Sequence, residues 1–185
     1  MDGLPRIIVV TGAMAAGKST IAQALAERLP QSVHLQGDLF RRMIVTGAVE
    51  MTAPPSAEAL AQLELRYRLA SDAAAGYAAA GYLVVYQDVI LGPYLGQVVE
   101  RLRPWRPGVV VLDPDPVVLA RRDRQRQASA YGSWQPEQMA EILRRQTPRV
   151  GRWIDSSAQT VEQTLAAILA DPAELRVGAT EPPRG

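Results

Sequence analysis

The sequence has no cysteine, one histidine and one lysine. Without cysteine there is no disulfide, no thiolate nucleophile and no cysteine-ligated zinc. A single histidine, His34, rules out any site that needs two. No apolar run approaches the ~20 residues of a membrane span. An excess of charge is missing too. Lys and Arg total 20 against 19 Asp and Glu, a formal net charge of +1. There is no global basic field of the kind that draws a protein to nucleic acid, which argues against a nucleic-acid partner. The stretch Met1-Asp2-Gly3-Leu4-Pro5-Arg6 lacks the basic start, long apolar segment and cleavage site of a signal peptide. These absences lead to the expectation of a cytoplasmic protein with no membrane contact.

The shortage of lysine is the most informative. Every basic side chain but one is arginine, and the exception is Lys18. A lysine is required where a compact ammonium on a thin stem fits and a wide guanidinium does not. Lys18 stands in RIIVVTGAMAAGKSTIAQALAERL, residues 6–29. Within it, Gly12-Ala13-Met14-Ala15-Ala16-Gly17-Lys18-Ser19 matches the phosphate-binding pattern G-x-x-x-x-G-K-[ST]. The glycines let successive backbone N–H groups turn inward, and the following helix N-terminus adds partial positive charge. Lys18 reaches the β- and γ-phosphates in such a loop, the Ser19 hydroxyl takes a place on Mg²⁺, and Thr20 sits near the α-phosphate. The cofactors implied are ATP and Mg²⁺.

The surrounding pattern suits the loop. An Ile/Val-rich run before Gly12 reads as a buried strand, and Ile21, Ala22, Leu25, Ala26 and Leu29 recur at helical spacing until Pro30. Further strands are expected at about 33–36, 82–86, 108–112 and 152–155. Helices are expected at about 38–45, 56–80, 93–102, 117–127, 136–145 and 160–169. Strands alternating with helices predict an α/β fold, a mainly parallel sheet of about five strands covered on both faces. The length of 185 residues suits one domain, and there is no repeat or linker. Beyond Pro172 the polar, Pro-containing end reads as frayed.

A phosphate loop does not name a reaction, since motors, switches and kinases share it. The stretch HLQGDLFRRMI, residues 34–44, adds a carboxylate. Asp38 follows the second strand, at the sheet edge where the loop opens. There it can orient an acceptor hydroxyl and take its proton, and it can equally cap the next helix. Arg41 lies three residues on. In VVLARRDRQRQ, residues 117–127, Arg122 and Arg126 share a helix face and could clamp a triphosphate.

In these residues the chain resembles small P-loop kinases of the nucleoside-monophosphate-kinase-like fold, and within it chloramphenicol-phosphotransferase-like and gluconate-kinase-like enzymes. The carriers are 12–20, Gly37-Asp38, the strand end Val84-Val85-Tyr86-Gln87-Asp88, the Arg122–Arg126 helix and Ile154-Asp155-Ser156-Ser157. The resemblance implies a P-loop NTPase three-layer sandwich over residues 1–172, with a helical lid at about 117–150 and a frayed tail at 173–185. It implies transfer of the γ-phosphoryl group of ATP to a hydroxyl of a small-molecule acceptor, of sugar-acid or hydroxylated-antibiotic type. Asp38 would then be the base, Asp88 would support Mg²⁺ through water, Asp38, Arg41 and Asp88 would bind the acceptor, and Arg122 and Arg126 would be lid residues on ATP. The segment 154–157 would border the adenine. Met14, Phe40, Trp134 and the helix carrying Arg66 and Tyr67 would shape the acceptor side.

Other readings remain open at this stage. Gly37-Asp38-Leu39-Phe40-Arg41 also looks like the G-D-x-x-R of adenylate kinase, and Asp38 with Arg41 like the D-x-x-R of polynucleotide 5′-kinases. An ATP-hydrolysing switch acting on a protein partner is a different class. A guanine-selective switch is excluded, because its Asn-Lys-x-Asp segment needs a second lysine.

Overall fold

The computed structural model describes residues 3–125 and 131–177. Five strands form one parallel sheet: β1 (Ile7–Gly12), β2 (Ser32–Gln36), β3 (Leu83–Gln87), β4 (Gly108–Leu112) and β5 (Arg152–Ile154), in the order β2-β3-β1-β4-β5. β1 and β4 are buried along their whole length, which is why they read as continuous apolar runs. Each fully buried Ile or Val there stabilises the fold by about 1.5–3 kcal/mol relative to exposure.

The helices α1 (Lys18–Arg28) and α7 (Val161–Ala170) pack together over one face of the sheet. On the other face α3 (Ala57–Ala79) packs with α4 (Pro93–Arg101). Between them in the chain lie α2 (Asp38–Arg42), α5 (Pro116–Arg124), α6 (Pro136–Glu141) and, at the end, α8 (Pro172–Leu175). The connections leaving the neighbours β1 and β3 run to opposite sides, to β2 and to β4, so a crevice opens at their carboxyl ends, where α/β sheets bind ligands. Gly12 sits at that end under the Leu112 carbonyl, and a Cβ there would collide with it. None of the helices among the described residues is long and apolar enough to cross a membrane.

Four sequence expectations are corrected. Asp38 is not an N-cap: Gly37 caps α2 without a side-chain bond, and Asp38 is the first helical residue with its carboxylate turned to Arg42. α2 ends at Arg42, short of Val45. The helix after Pro136 changes to a π-helical turn at Ile142–Gln146, where the Thr147 hydroxyl donates to the Ile142 carbonyl at 3.1 Å. The chain is also ordered past Pro172. Asp171 caps α8, Leu175 is fully buried, and Arg176 bridges to Gly108 beside β4. One apolar side chain with somewhere to go outweighs a polar composition. The rest of the expected tail, 178–185, lies outside the described residues, as does Arg126.

Candidate active site

β1 delivers the chain into the loop 12–19 at the carboxyl edge of the sheet. Ala15 and Gly17 take left-handed conformations, φ +59° and +92°, which turn the chain tightly, and the Ala16 N–H between them donates to the Ala13 carbonyl at 3.2 Å. Gly17 caps α1 without a side-chain bond, so the first-turn N–H groups of α1 keep their donors for a ligand. Lys18 is buried, and its ammonium donates to the Ala13 carbonyl at 2.7 Å.

A cleft of about 320 Å³ runs beside the loop, lined in part by Ala16, Gly17, Thr20, Arg122, Ser156 and Gln159. Arg122 reaches across it from α5, donating to the Ala16 carbonyl at 3.2 Å and the Ser156 carbonyl at 2.9 Å. Both partners are neutral. Burial, and then Arg121 nearby, lower its proton affinity, so this guanidinium is an imperfectly compensated cation facing the phosphate loop. The structure therefore brings Arg122, Thr20 and Ser156 together around one cleft.

Trp134, expected on the acceptor side, and Tyr131 and Ser133, which the sequence reading passed over, bridge two loops. The Tyr131 hydroxyl donates to the Met14 carbonyl at 2.6 Å. The Trp134 indole donates to the Met51 carbonyl at 3.1 Å, and the Ala53 N–H to the Ser133 hydroxyl at 3.1 Å. Segment 131–134 thus spans from the phosphate loop to the loop 44–55.

Asp38 is half-exposed and pairs with Arg42 at 3.0 Å. Arg41, the expected companion, turns instead toward Glu50 at 3.7 Å and the Val49 carbonyl. It does not stand beside Asp38 as a free anion clamp. Residues i+3 and i+4 share a helix face, and here the i+4 partner Arg42 takes the carboxylate while Arg41 goes to Glu50.

Asp88 is almost fully buried and faces α3. One oxygen accepts from Arg66 and from its neighbour Val89 N–H, both at 2.7 Å, while the other is buried without a partner. Gly37 lies against this carboxylate, and a Cβ there would collide with it. Asp88 makes no bond to Ser19, and the part expected of it, support of Mg²⁺ through water, needs none. The residue at Ser19 is Gln87, whose Oε1 accepts the serine hydroxyl at 3.3 Å. Alternation along β3 puts neighbours on opposite faces, so only one of the two can reach α1.

Burial pushes the Asp88 carboxyl up to about 6, with Arg66, the Val89 N–H and Lys18 opposing and Asp38 adding to it. An unfolded Asp titrates near 3.8. Between these values the folded chain holds more protons than the unfolded one, so this group adds stability as pH falls from about 6 toward about 4. Asp88→Asn abolishes that contribution. Urea unfolding of both proteins at about pH 7 and about pH 4.5 should show the difference moving in the wild type's favour at the lower pH. A difference that does not change with pH would contradict the assignment.

Among the described residues no cluster of His, Asp and Glu could hold a metal by itself. Ser19 fits the part expected of it: its side chain is exposed at the start of α1 and its proton is taken by Gln87. Mg²⁺ suits such a site, because it keeps several waters and shares its remaining positions with substrate phosphates.

Residues 7–150 match the family described as "AAA domain". No curated protein matches the sequence. Among solved structures, a gluconokinase from Sinorhizobium meliloti 1021 is similar with 21% identity, a TM-score of 0.66, and 94% of each chain covered. The Deinococcus radiodurans tunicamycin resistance protein is similar with 19% identity and a TM-score of 0.64, over 90% of this chain and 94% of that one. Shikimate kinase from Acinetobacter baumannii, solved with shikimate, shows 21% identity and a TM-score of 0.64, over 90% and 91%. The shared fold is that of the small P-loop kinases.

Proposed function

The chain belongs to the AAA-domain family, and from that premise we propose that it is an ATP-dependent kinase that moves the γ-phosphoryl group to a hydroxyl of a small molecule. A polyhydroxylated acid or a hydroxylated antibiotic is the acceptor class, by analogy with the similar structures. What supports the reading is one sheet edge: the phosphate loop follows β1, Asp38 follows β2, and β3, with Asp88 just past its end, runs between those two strands.

In this account the loop amides bind the phosphate chain, and Lys18 exchanges the neutral Ala13 carbonyl for phosphate oxygens. Arg122 makes the same exchange from the Ala16 and Ser156 carbonyls, a trade that favours the charged partner. Ser19 holds Mg²⁺, which neutralises charge on the β- and γ-phosphates when bound. Asp38 orients the acceptor hydroxyl and receives its proton. Its exposed bond to Arg42 is of a kind worth only about 0–1 kcal/mol, so releasing the carboxylate costs little. Tyr131 and Trp134 hold the bridging segment over the space between the two sides and exclude water, which favours transfer over hydrolysis.

The test is the acceptor dependence of ATP consumption. With Mg·ATP alone turnover should be slow, and a matching hydroxylated acceptor should raise it at least about tenfold, which corresponds to about 1.4 kcal/mol of barrier. Equal turnover with and without every acceptor class would remove the reading.

A further inference from the structure

Gln87 is the side chain that meets the Ser19 hydroxyl. A bonded run of side chains on the same side of the sheet ends at His34. Gln23 on α1 donates its amide N–H to Glu27 at 2.8 Å. A carboxylate only accepts, so the Gln23 amide is oriented with Oε1 away from Glu27. That Oε1 lies 2.8 Å from His34 Nδ1, which must therefore carry the ring proton. Burial holds His34 below its ordinary value, against the opposing effects of Gln87 and Asp38, so the ring is neutral at pH 7. Its Nε2 makes no hydrogen bond among the described residues, so the bonded run stops at the histidine. The Gln87 amide is oriented by Ser19 itself, whose hydroxyl donates to its Oε1 at 3.3 Å.

We infer that Gln87 is a positioning residue for Ser19: its amide oxygen takes the hydroxyl proton and turns the serine lone pairs toward the metal position. The inference rests on the reading of Ser19 as the Mg²⁺ ligand. Gln87 acts without charge, where a carboxylate would also compete for the ion. It is 6% exposed and fixed by the β3 register opposite Gln36. The bonded run Glu27, Gln23 and His34 and the pair Gln87 and Ser19 lie on the α1 side of the sheet, away from Asp88 and Arg66. The run gives the single histidine a structural duty.

The experiment measures ATP affinity by calorimetry, with Mg²⁺ and with EDTA, for the wild type, Gln87→Met and Gln87→Glu. The ratio of the two affinities is the gain due to the metal. Gln87→Met has nearly the same volume but no acceptor for the serine proton. It should lower the metal-dependent gain about tenfold, the scale of lost outer-shell support at metal sites. Its EDTA affinity should stay within about twofold, since Lys18 and the loop amides set that term. Gln87→Glu keeps the acceptor and should retain at least the wild-type gain. A Gln87→Met protein with an undiminished gain, or with both affinities reduced equally, would overturn the inference, the latter by revealing a packing role only. If Gln87→Met does not fold, loss of the gain in Gln87→Glu would overturn it. A wild type whose ATP affinity does not respond to Mg²⁺ would instead remove the metal reading of Ser19, and the positioning role with it.

Discussion

Asp38→Asn should lower phosphoryl transfer by about 10²–10⁴-fold, the usual contribution of a positioned proton acceptor. The substitution preserves shape, and the amide oxygen can still accept from Arg42 as the carboxylate does now. What disappears is the capacity to receive the acceptor's proton. ATP affinity should change by less than about twofold, because Asp38 makes none of the bonds that hold the loop or the cleft. Single-turnover transfer rates and nucleotide affinity, measured on the same preparation, separate the two quantities. A variant that transfers at the wild-type rate would take the base role away from Asp38.

The second large effect is expected at Arg122. Arg122→Gln should lower kcat by about 10²–10³-fold, as for loss of one preorganised donor to developing charge. The reason lies in its present partners. Among the described residues Arg122 pairs with no carboxylate, and its two bonds end on the carbonyls of Ala16 and Ser156. Such a cation is poised to move to phosphate oxygens, where the charge in the transition state builds. Its two bonds, from a charged donor, are worth about 1.5–3 kcal/mol each, and the glutamine amide can keep one of them, so the variant should fold. The KM for ATP should rise less than kcat falls, because the largest gain is made in the transition state. A variant with normal kcat and only weakened ATP binding would make Arg122 a binding residue alone.

The two variants address residues that were legible to different degrees. The phosphate loop can be read from sequence because its chemistry constrains neighbours in the chain: glycines, lysine and serine must stand at set intervals. Asp38 was also visible, since a carboxylate just past a strand end lands at the ligand edge. Its partner was not, because α2 is so short that one residue of helical phase decides between Arg41 and Arg42. Gln87 and Asp88 illustrate a stricter limit. Alternation says that they face opposite ways, but which one faces α1 depends on the packing of the whole sheet. Arg66 lies 22 positions from Asp88, and no spacing rule links a mid-helix arginine to a strand end. The bonds of Tyr131 to Met14 and Trp134 to Met51 join segments still farther apart. The order past Pro172 hinged on Leu175, a single apolar residue whose burial no periodicity announces.

The central claim is that phosphate leaves ATP for an acceptor hydroxyl and not for water. Its most direct test is a phosphate balance. The protein is incubated with Mg·ATP and pooled acceptors: sugar acids, aminocyclitols, phenylpropanoid antibiotics, nucleoside monophosphates and a 5′-hydroxyl oligonucleotide. Mass spectrometry follows every acceptor while free phosphate is counted. The account predicts one class of hydroxylated small molecule gaining a single phosphoryl group, in amount equal to the ATP consumed. ATP consumed entirely as free phosphate, with every acceptor unchanged, would contradict it and leave a nucleotide-hydrolysing switch as the reading of this site.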